Sequence, residues 1–361
     1  MRQLHEVRSC VQGDILSCGV AVTSHRNYLK GRYCKTVSET NQGKKPVVSV
    51  SLTTYQHEKY VREALEGIYS QKTDFPMEVL IHDDASPDGT QDIIREYEKR
   101  YPDITRCILQ TENQYQKGIR TTNYTFNFLR AEGKYIAICE GDDYWTDPKK
   151  LQKQVSYMEA HPECHLCVHA VADVDEQGNR LTSLHSCSES KALSTDEVIR
   201  VMRGFAFVSF LVRTEDVQKL PDFYFGAAVG DLPLVLYLAS LGTVYYIDEE
   251  MANYRHHGGS WTDALWSGDI REKLRHHLDR MIDLYRQFDT YTGEKYHESV
   301  EFAIQKTNME YCMGVEDFRG ILNPAYKEAF RQLPITARIG YRMGAVLPGL
   351  YHFLKPFFMK K

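Results

Sequence analysis

From Val47 to Gly141 the chain alternates short β-branched runs with amphipathic ones, and that alternation narrows the possible folds to a few. "VVSVSLTTY" (47–55) follows Pro46 and reads as a buried strand. "HEKYVREALEGIYSQ" (57–71) places Val61, Ala64, Leu65 and Ile68 on one helical face. "MEVLIHDDAS" (77–86) is the next strand. "DGTQDIIREYEKRYP" (88–102) is the next helix, with Asp88 or Thr90 as its N-cap and Pro102 just past its end. "ITRCILQT" (104–111) is a third strand, "RTTNYTFNFLRAEG" (120–133) a helix closed by Gly133, and "KYIAICEG" (134–141) a fourth strand. Strand and helix in alternation at this spacing imply right-handed crossovers, hence an α/β fold with a mostly parallel, Rossmann-like sheet flanked by helices.

Two groups of carboxylates fall at the C-terminal ends of these strands: Asp83-Asp84, and Glu140, Asp142 and Asp143 in "EGDDYW". In open α/β sheets the ligand crevice lies outside those ends, so both groups are expected to face one crevice. Like charges repel by about 1 kcal/mol at 4 Å in water and by several times more near a protein surface. A bound Mn²⁺ or Mg²⁺ would reverse that and let an anionic diphosphate sit beside the carboxylates. On spacing alone, a solvated acidic loop is an equal reading.

The 361 residues suffice for one large domain with appendages or for two domains. A net charge of −5 argues against a nucleic-acid partner. The chain shows no apolar run of 18 residues or more and no signal peptide, so no membrane-spanning helix is expected. Nine cysteines at irregular spacing suit a reducing compartment, and the expected location is cytoplasmic. The dinucleotide fingerprint GxGxxG and the P-loop are both missing after the first strand. After a helix over 147–163, residues 164–181 read as a strand pair around the turn 176–179. Residues 195–260 mix helix and strand, and 268–330 are helical and charged. In "HPECHLCVHA", Cys164 and Cys167 raise the question of zinc, but one CxxC is not two, and the same alternation suits an ordinary buried strand.

Taken jointly, "VSVSLTTYQHEKYVREALEGIYSQ", "EVLIHDDASPDGT" and "ENQYQKGIRTTNYTFNFLRAEGKYIAICEGDDYWTDPKKLQKQV" resemble family 2 glycosyltransferases of the GT-A fold, in the family's order and spacing over roughly residues 47–260. The resemblance implies transfer of a sugar from a nucleotide-sugar, usually with inversion at the anomeric carbon. It assigns Thr53, Tyr55, Asp83, Asp84 and Arg120 to the nucleotide. The "EGDD" stretch corresponds to the DxD-type motif: Glu140 and Asp142 toward the nucleotide-sugar, Asp142 and Asp143 toward the metal. Glu140 stands where many relatives carry Asp. "FGAAVGDLPLVLYLASLG" resembles the acceptor-side motif and makes Asp231 the general base, a role compatible with capping the following helix. In "NYRHHGGSW", His257 fits a position that reaches the metal, and Arg255 one that could neutralise phosphate.

The implied layout is an extension over 1–46, a transferase region over 47–260 (a nucleotide-binding half at 47–150, an acceptor half at 151–260) and a helical region over 261–361. The implied partners are a nucleotide-sugar, UDP-linked by family habit, and a glycan or lipid-linked acceptor of bacterial surface-polysaccharide synthesis. The tail "RIGYRMGAVLPGLYHFLKPFFMKK" is aromatic and basic. It reads either as a peripheral contact with the inner face of the membrane or as a core helix, dimer contact or disordered end. A non-catalytic sugar-nucleotide-binding protein or a nucleotidyltransferase is the alternative, and neither needs an acceptor-side base.

Overall fold

The computed structural model describes residues 45–201, 204–258 and 270–358, so the expected extension up to residue 44 lies outside the described residues. Strands β1 (Val48–Thr54), β2 (Met77–Asp83), β3 (Thr105–Leu109) and β4 (Tyr135–Glu140) pair in parallel in the order β3-β2-β1-β4. Both faces of β1 are buried, as a parallel sheet requires. Its buried serines are satisfied, Ser49 Oγ donating to Glu78 Oε1 (2.6 Å) and Ser51 Oγ to Asn123 Oδ1 (2.8 Å).

Helices α1 (Val61–Tyr69) and α2 (Thr90–Arg100) return the chain between the first three strands, and α1 buries the face read from its sequence. The N-cap of α2 is Gly89, neither Asp88 nor Thr90; Asp88 Oδ1, one residue earlier, accepts from the Thr90 N–H (3.2 Å) and hydroxyl (2.6 Å). A Cβ on Gly67 would lie 2.6 Å from the Trp145 carbonyl oxygen, so only glycine lets α1 pack this close to the chain beyond β4.

The helix expected over 120–133 is replaced by a π-type turn (Asn123–Asn127) and a 3-10 turn (Phe128–Arg130). The segment's polar side chains are tied to the sheet instead. Asn127 Nδ2 donates to Ser51 Oγ (3.0 Å) and Leu52 O (3.2 Å), and Arg130 Nη2 to Ile81 O and Arg106 O (both 3.1 Å). The segment's Thr, Asn, Tyr and Phe residues are weak helix formers, and these anchors override what helical preference remains.

Beyond β4 come β5 (Tyr144–Trp145), α3 (Lys150–Ala160) and the strand pair β6 (Cys164–Val174) and β7 (Arg180–Leu184). Then follow β8 (Lys191–Leu193), β9 (Leu211–Arg213), α4 (Asp231–Leu241) and β10 (Thr243–Arg255). They extend the sheet as β4-β9-β6-β10-β5, with β9 antiparallel to both its neighbours and β6 parallel to β10. The long ladders are thus parallel and the short ones antiparallel. Alternate residues of β4 enter opposite cores: Ile136 and Ile138 pack with α4, and Tyr135, Ala137 and Cys139 with α1 and α3.

The C-terminal region is helical: α5 (Ile270–Tyr291), α6 (His297–Gly314), α7 (Ile335–Val346) and α8 (Pro348–Phe358). Through Ile282, Leu284, Tyr285 and Phe288, α5 joins the core that holds α4. Pro348 opens α8, the helix position proline tolerates best. The pair α7–α8 turns Tyr341 and Tyr351 inward and leaves Ile335, Ile339, Val346, Leu347, Leu350 and Phe353 exposed, the last at 77%. Among the described residues, no helix is long and apolar enough to cross a membrane.

Candidate active site

Register pairs Thr53 with Glu140 and Thr54 with Asp83, so the tips of β1, β2 and β4 share one edge. A cavity of about 1130 Å³ opens there, walled by Thr53, Tyr115, Arg120, Glu140, Asp142 and Asp231 among others. Asp142 and Asp231, 89 residues apart in the chain, thus face one space.

Asp142 is held between two histidines. His257 Nε2 lies 3.1 Å and His57 Nε2 3.8 Å from Asp142 Oδ2. Burial pushes the Asp142 carboxyl up, but the His257 hydrogen bond and the nearby His57 more than offset it, and the group is held below the usual carboxylate range. Burial lowers the His57 imidazole, so it favours the neutral form that binds metals. One ligand atom from each of the three lies within 4.8 Å of the other two. Two imidazoles and a carboxylate fit a divalent ion, and nitrogen donors favour Mn²⁺ over the oxygen-seeking Mg²⁺.

His57 was not legible in the sequence. Gln56, in the left-handed region at φ 59°, turns the chain at the end of β1 and sets the next residue over Gly141. An unusual backbone residue directly before a polar side chain is the signal, and it is visible only in three dimensions.

Glu140 and Asp231 lack such partners. Burial raises Glu140 to about 8, helped by the charges of Asp142 and Asp231. Burial also raises Asp231, although its Oδ1 accepts from the Leu232 N–H (2.7 Å) at the start of α4. A carboxylate with raised proton affinity at a cavity wall is suited to taking a proton.

The structure places several other sequence-read residues elsewhere. Asp83 is fully buried and saturated: its oxygens accept from Thr54 Oγ1 (2.9 Å), Ser86 N (2.9 Å), Ser86 Oγ (2.5 Å) and Gln91 Nε2 (2.7 Å). It shapes the loop and has no oxygen left for a nucleotide. The Asp84 oxygens accept from the N–H groups of Gln114 (2.7 Å) and Tyr115 (3.0 Å), which sets Tyr115 at the cavity, with the Arg120 guanidinium 4.1 Å from its ring centre. Tyr55 is 38% exposed and does not line the cavity.

Asp143 lies apart from the three-residue cluster. It is buried, with Oδ1 accepting from the Arg255 N–H (2.9 Å) and Oδ2 without a partner. Burial, then the charges of Asp142 and Glu140, push its carboxyl well above the usual range. Arg255 does not face phosphate either. It is buried between the rings of Tyr60 and Tyr144, donating to Asp142 O (3.0 Å), Glu176 O (2.9 Å) and the Glu63 carboxylate. His256 pairs with Asp173 (3.4 Å). Cys164 and Cys167 are buried in β6, their thiols raised by burial, and neither belongs to the metal-competent group found among the described residues.

A sequence profile of glycosyl transferase family 2 matches residues 49–218. An uncharacterized protein of Mycobacterium tuberculosis is 36% identical over 261 residues, covering 69% of this chain and 71% of its own. TuaG of Bacillus subtilis, a glycosyltransferase whose name assigns it to teichuronic acid biosynthesis, is 28% identical over 62% of this chain and 84% of its own. The crystal structure of Staphylococcus aureus TarS residues 1–349 superposes with a TM-score of 0.51 at 17% identity, over 86% of this chain and 85% of that one, and so shares the fold. Fold, profile and relatives agree: this chain belongs to glycosyl transferase family 2 and is a glycosyltransferase.

Proposed function

We propose that the protein transfers a sugar from a nucleotide-sugar, UDP-linked by family habit, to a hydroxyl of a glycan or lipid-linked acceptor, with inversion at the anomeric carbon. The observation that carries this reading is the single cavity walled by Glu140 and Asp142 on one side and Asp231 on another. Thr53, Tyr115 and Arg120 are suited to the nucleotide end. His57, Asp142 and His257 would hold a divalent ion, whose bound form supplies charge stabilisation to the leaving diphosphate. Asp231 takes the acceptor hydroxyl proton as that oxygen bonds to the anomeric carbon, while the bond to the diphosphate oxygen breaks and the nucleoside diphosphate leaves. Holding both substrates in one space supplies the orientation that a two-substrate displacement needs.

The TuaG relative supports a role in surface-polysaccharide synthesis. Peripheral membrane contact suits the α7–α8 pair. Its exposed apolar residues are accompanied by Arg338, Arg342 and Lys355, and residues 335–361 contain no Asp or Glu.

The test is calorimetric titration of UDP, GDP, dTDP and CMP, with and without Mn²⁺, followed by a donor turnover assay on Asp231→Asn. Nucleotide affinity should be retained in this variant and transfer reduced by about 10²–10⁴-fold, the range for a general base. Retained transfer would remove Asp231 from the chemistry. A binding protein or a nucleotidyltransferase would be insensitive to the change.

A further inference from the structure

One wall of the cavity has no part in the reading above. Lys273, His276, His277 and Arg280 line it, at positions i, i+3, i+4 and i+7 of α5, which is one face of a helix. The opposite face, Leu274, Leu278 and Ile282, is buried. The four acidic residues of α5, Glu272, Asp279, Asp283 and Asp289, do not line the cavity; Asp279 pairs with Arg275, Asp283 accepts from Gln287 Nε2 (2.7 Å) and Asp289 pairs with His297.

This basic face stands on the acceptor side. The helix packs against α4, which begins with Asp231, and against the short turn 222–225. Arg280 Nη2 donates to Gly226 O (3.2 Å), at the start of the loop that leads into Asp231. The cavity carries both signs of charge, Glu140, Asp142 and Asp231 on one part of its wall and the basic face of α5 on another. A neutral sugar hydroxyl needs no such wall, whereas a phosphate or carboxylate is held well by Arg and Lys in a walled cleft.

We propose that the acceptor is anionic, carrying a phosphate or carboxylate that docks on Lys273, His276, His277 and Arg280 and so directs its hydroxyl toward Asp231. Assigning this wall to the acceptor rests on the transferase reading.

The test uses the full chain saturated with UDP and Mn²⁺, titrated calorimetrically with glucose 6-phosphate, glucuronate and methyl glucoside. The better of the two anionic probes should bind at least ~10-fold tighter than the neutral glycoside, and which one it is separates phosphate from carboxylate. Lys273→Glu/Arg280→Glu should abolish that preference, and Lys273→Gln/Arg280→Gln should weaken it, with UDP affinity unchanged in both. Equal binding of charged and neutral probes, no binding of either anion, or an unaltered preference in the charge-reversed protein overturns the proposal. Loss of UDP affinity in the variants would assign the wall to the donor and overturn it too. Wild-type protein that binds no nucleotide at all would instead sink the transferase reading, and the acceptor proposal with it.

Discussion

Gly141 and His57 are packed so closely that a Cβ on the glycine would lie 2.7 Å from His57 Nδ1 and 2.5 Å from Thr54 Cγ2. The glycine between Glu140 and Asp142 is therefore space reserved for an imidazole that arrives from the end of β1. Gly141→Ala should push His57 off Asp142 and lower the affinity for Mn²⁺ by about 10–100-fold, the usual effect of disturbing a ligand's support. Calorimetry of Mn²⁺-dependent UDP binding checks this. Unchanged affinity would separate His57 from the metal.

Adjacent aspartates should behave differently. Asp142→Asn is expected to abolish metal-dependent nucleotide binding, because the carboxylate is central to the three-residue group. Asp143→Asn should leave that binding within a few-fold of wild type, since an amide oxygen still accepts from the Arg255 N–H. Asp143→Ala removes the acceptor and should cost about 1–3 kcal/mol of folding stability. Equal loss of binding in the two asparagine variants would return Asp143 to the metal site.

His82 makes the fold acid-sensitive. Buried at 1% exposure and stacked on Phe126 (ring centres 4.2 Å apart), it is lowered by burial, and by nearby Arg130, from 6.5 to about 3. Between those values the unfolded chain holds a proton that the folded one does not. Stability therefore falls as pH drops from about 6.5 toward about 3, by at most about 1.4 kcal/mol per pH unit from this group. Urea unfolding measured at several pH values should show that slope in wild type and a shallower one in His82→Gln. Identical slopes would mean that other groups govern acid unfolding.

The exposed face of α7 and α8 predicts binding to anionic vesicles. Phosphatidylglycerol vesicles should carry the protein to the top of a flotation gradient, and phosphatidylcholine vesicles should not. Ile339→Asp/Phe353→Asp should reduce binding by about tenfold or more, as charges replace two exposed apolar anchors. If the variant instead changes the mass seen by light scattering and leaves flotation alone, the face joins two copies of the chain.

The strands and their acidic tips were readable because both signals are local: β-branched runs build β1, β2 and β4, and carboxylates follow at the ends of β2 and β4. The 120–133 segment was not, because its conformation is set by hydrogen bonds to Ser51, Leu52, Ile81 and Arg106, far away in sequence. The partition of the aspartates was equally hidden. Nothing in "HDDAS" distinguishes a saturated Asp83 from Asp84, and nothing in "EGDDYW" reveals that Asp143 turns inward toward β10. The basic face of α5 follows helical spacing and could have been found, but only its place at the cavity gives it meaning.

Arg255 touches three parts of the chain at once: α1 through Glu63, the DxD-type stretch through Asp142 O, and the turn after β6 through Glu176 O. His257 follows it two residues later. The site is therefore closed by the last strand of the sheet, after more than a hundred intervening residues have found their places. Such long-range closure is slow to form and all-or-none in its result. A nascent or truncated chain ending near residue 150 would hold His57 and Asp142 yet lack His257. The three-residue group thus comes together only when both ends of the sheet's chain order, β1 and β10, are in place.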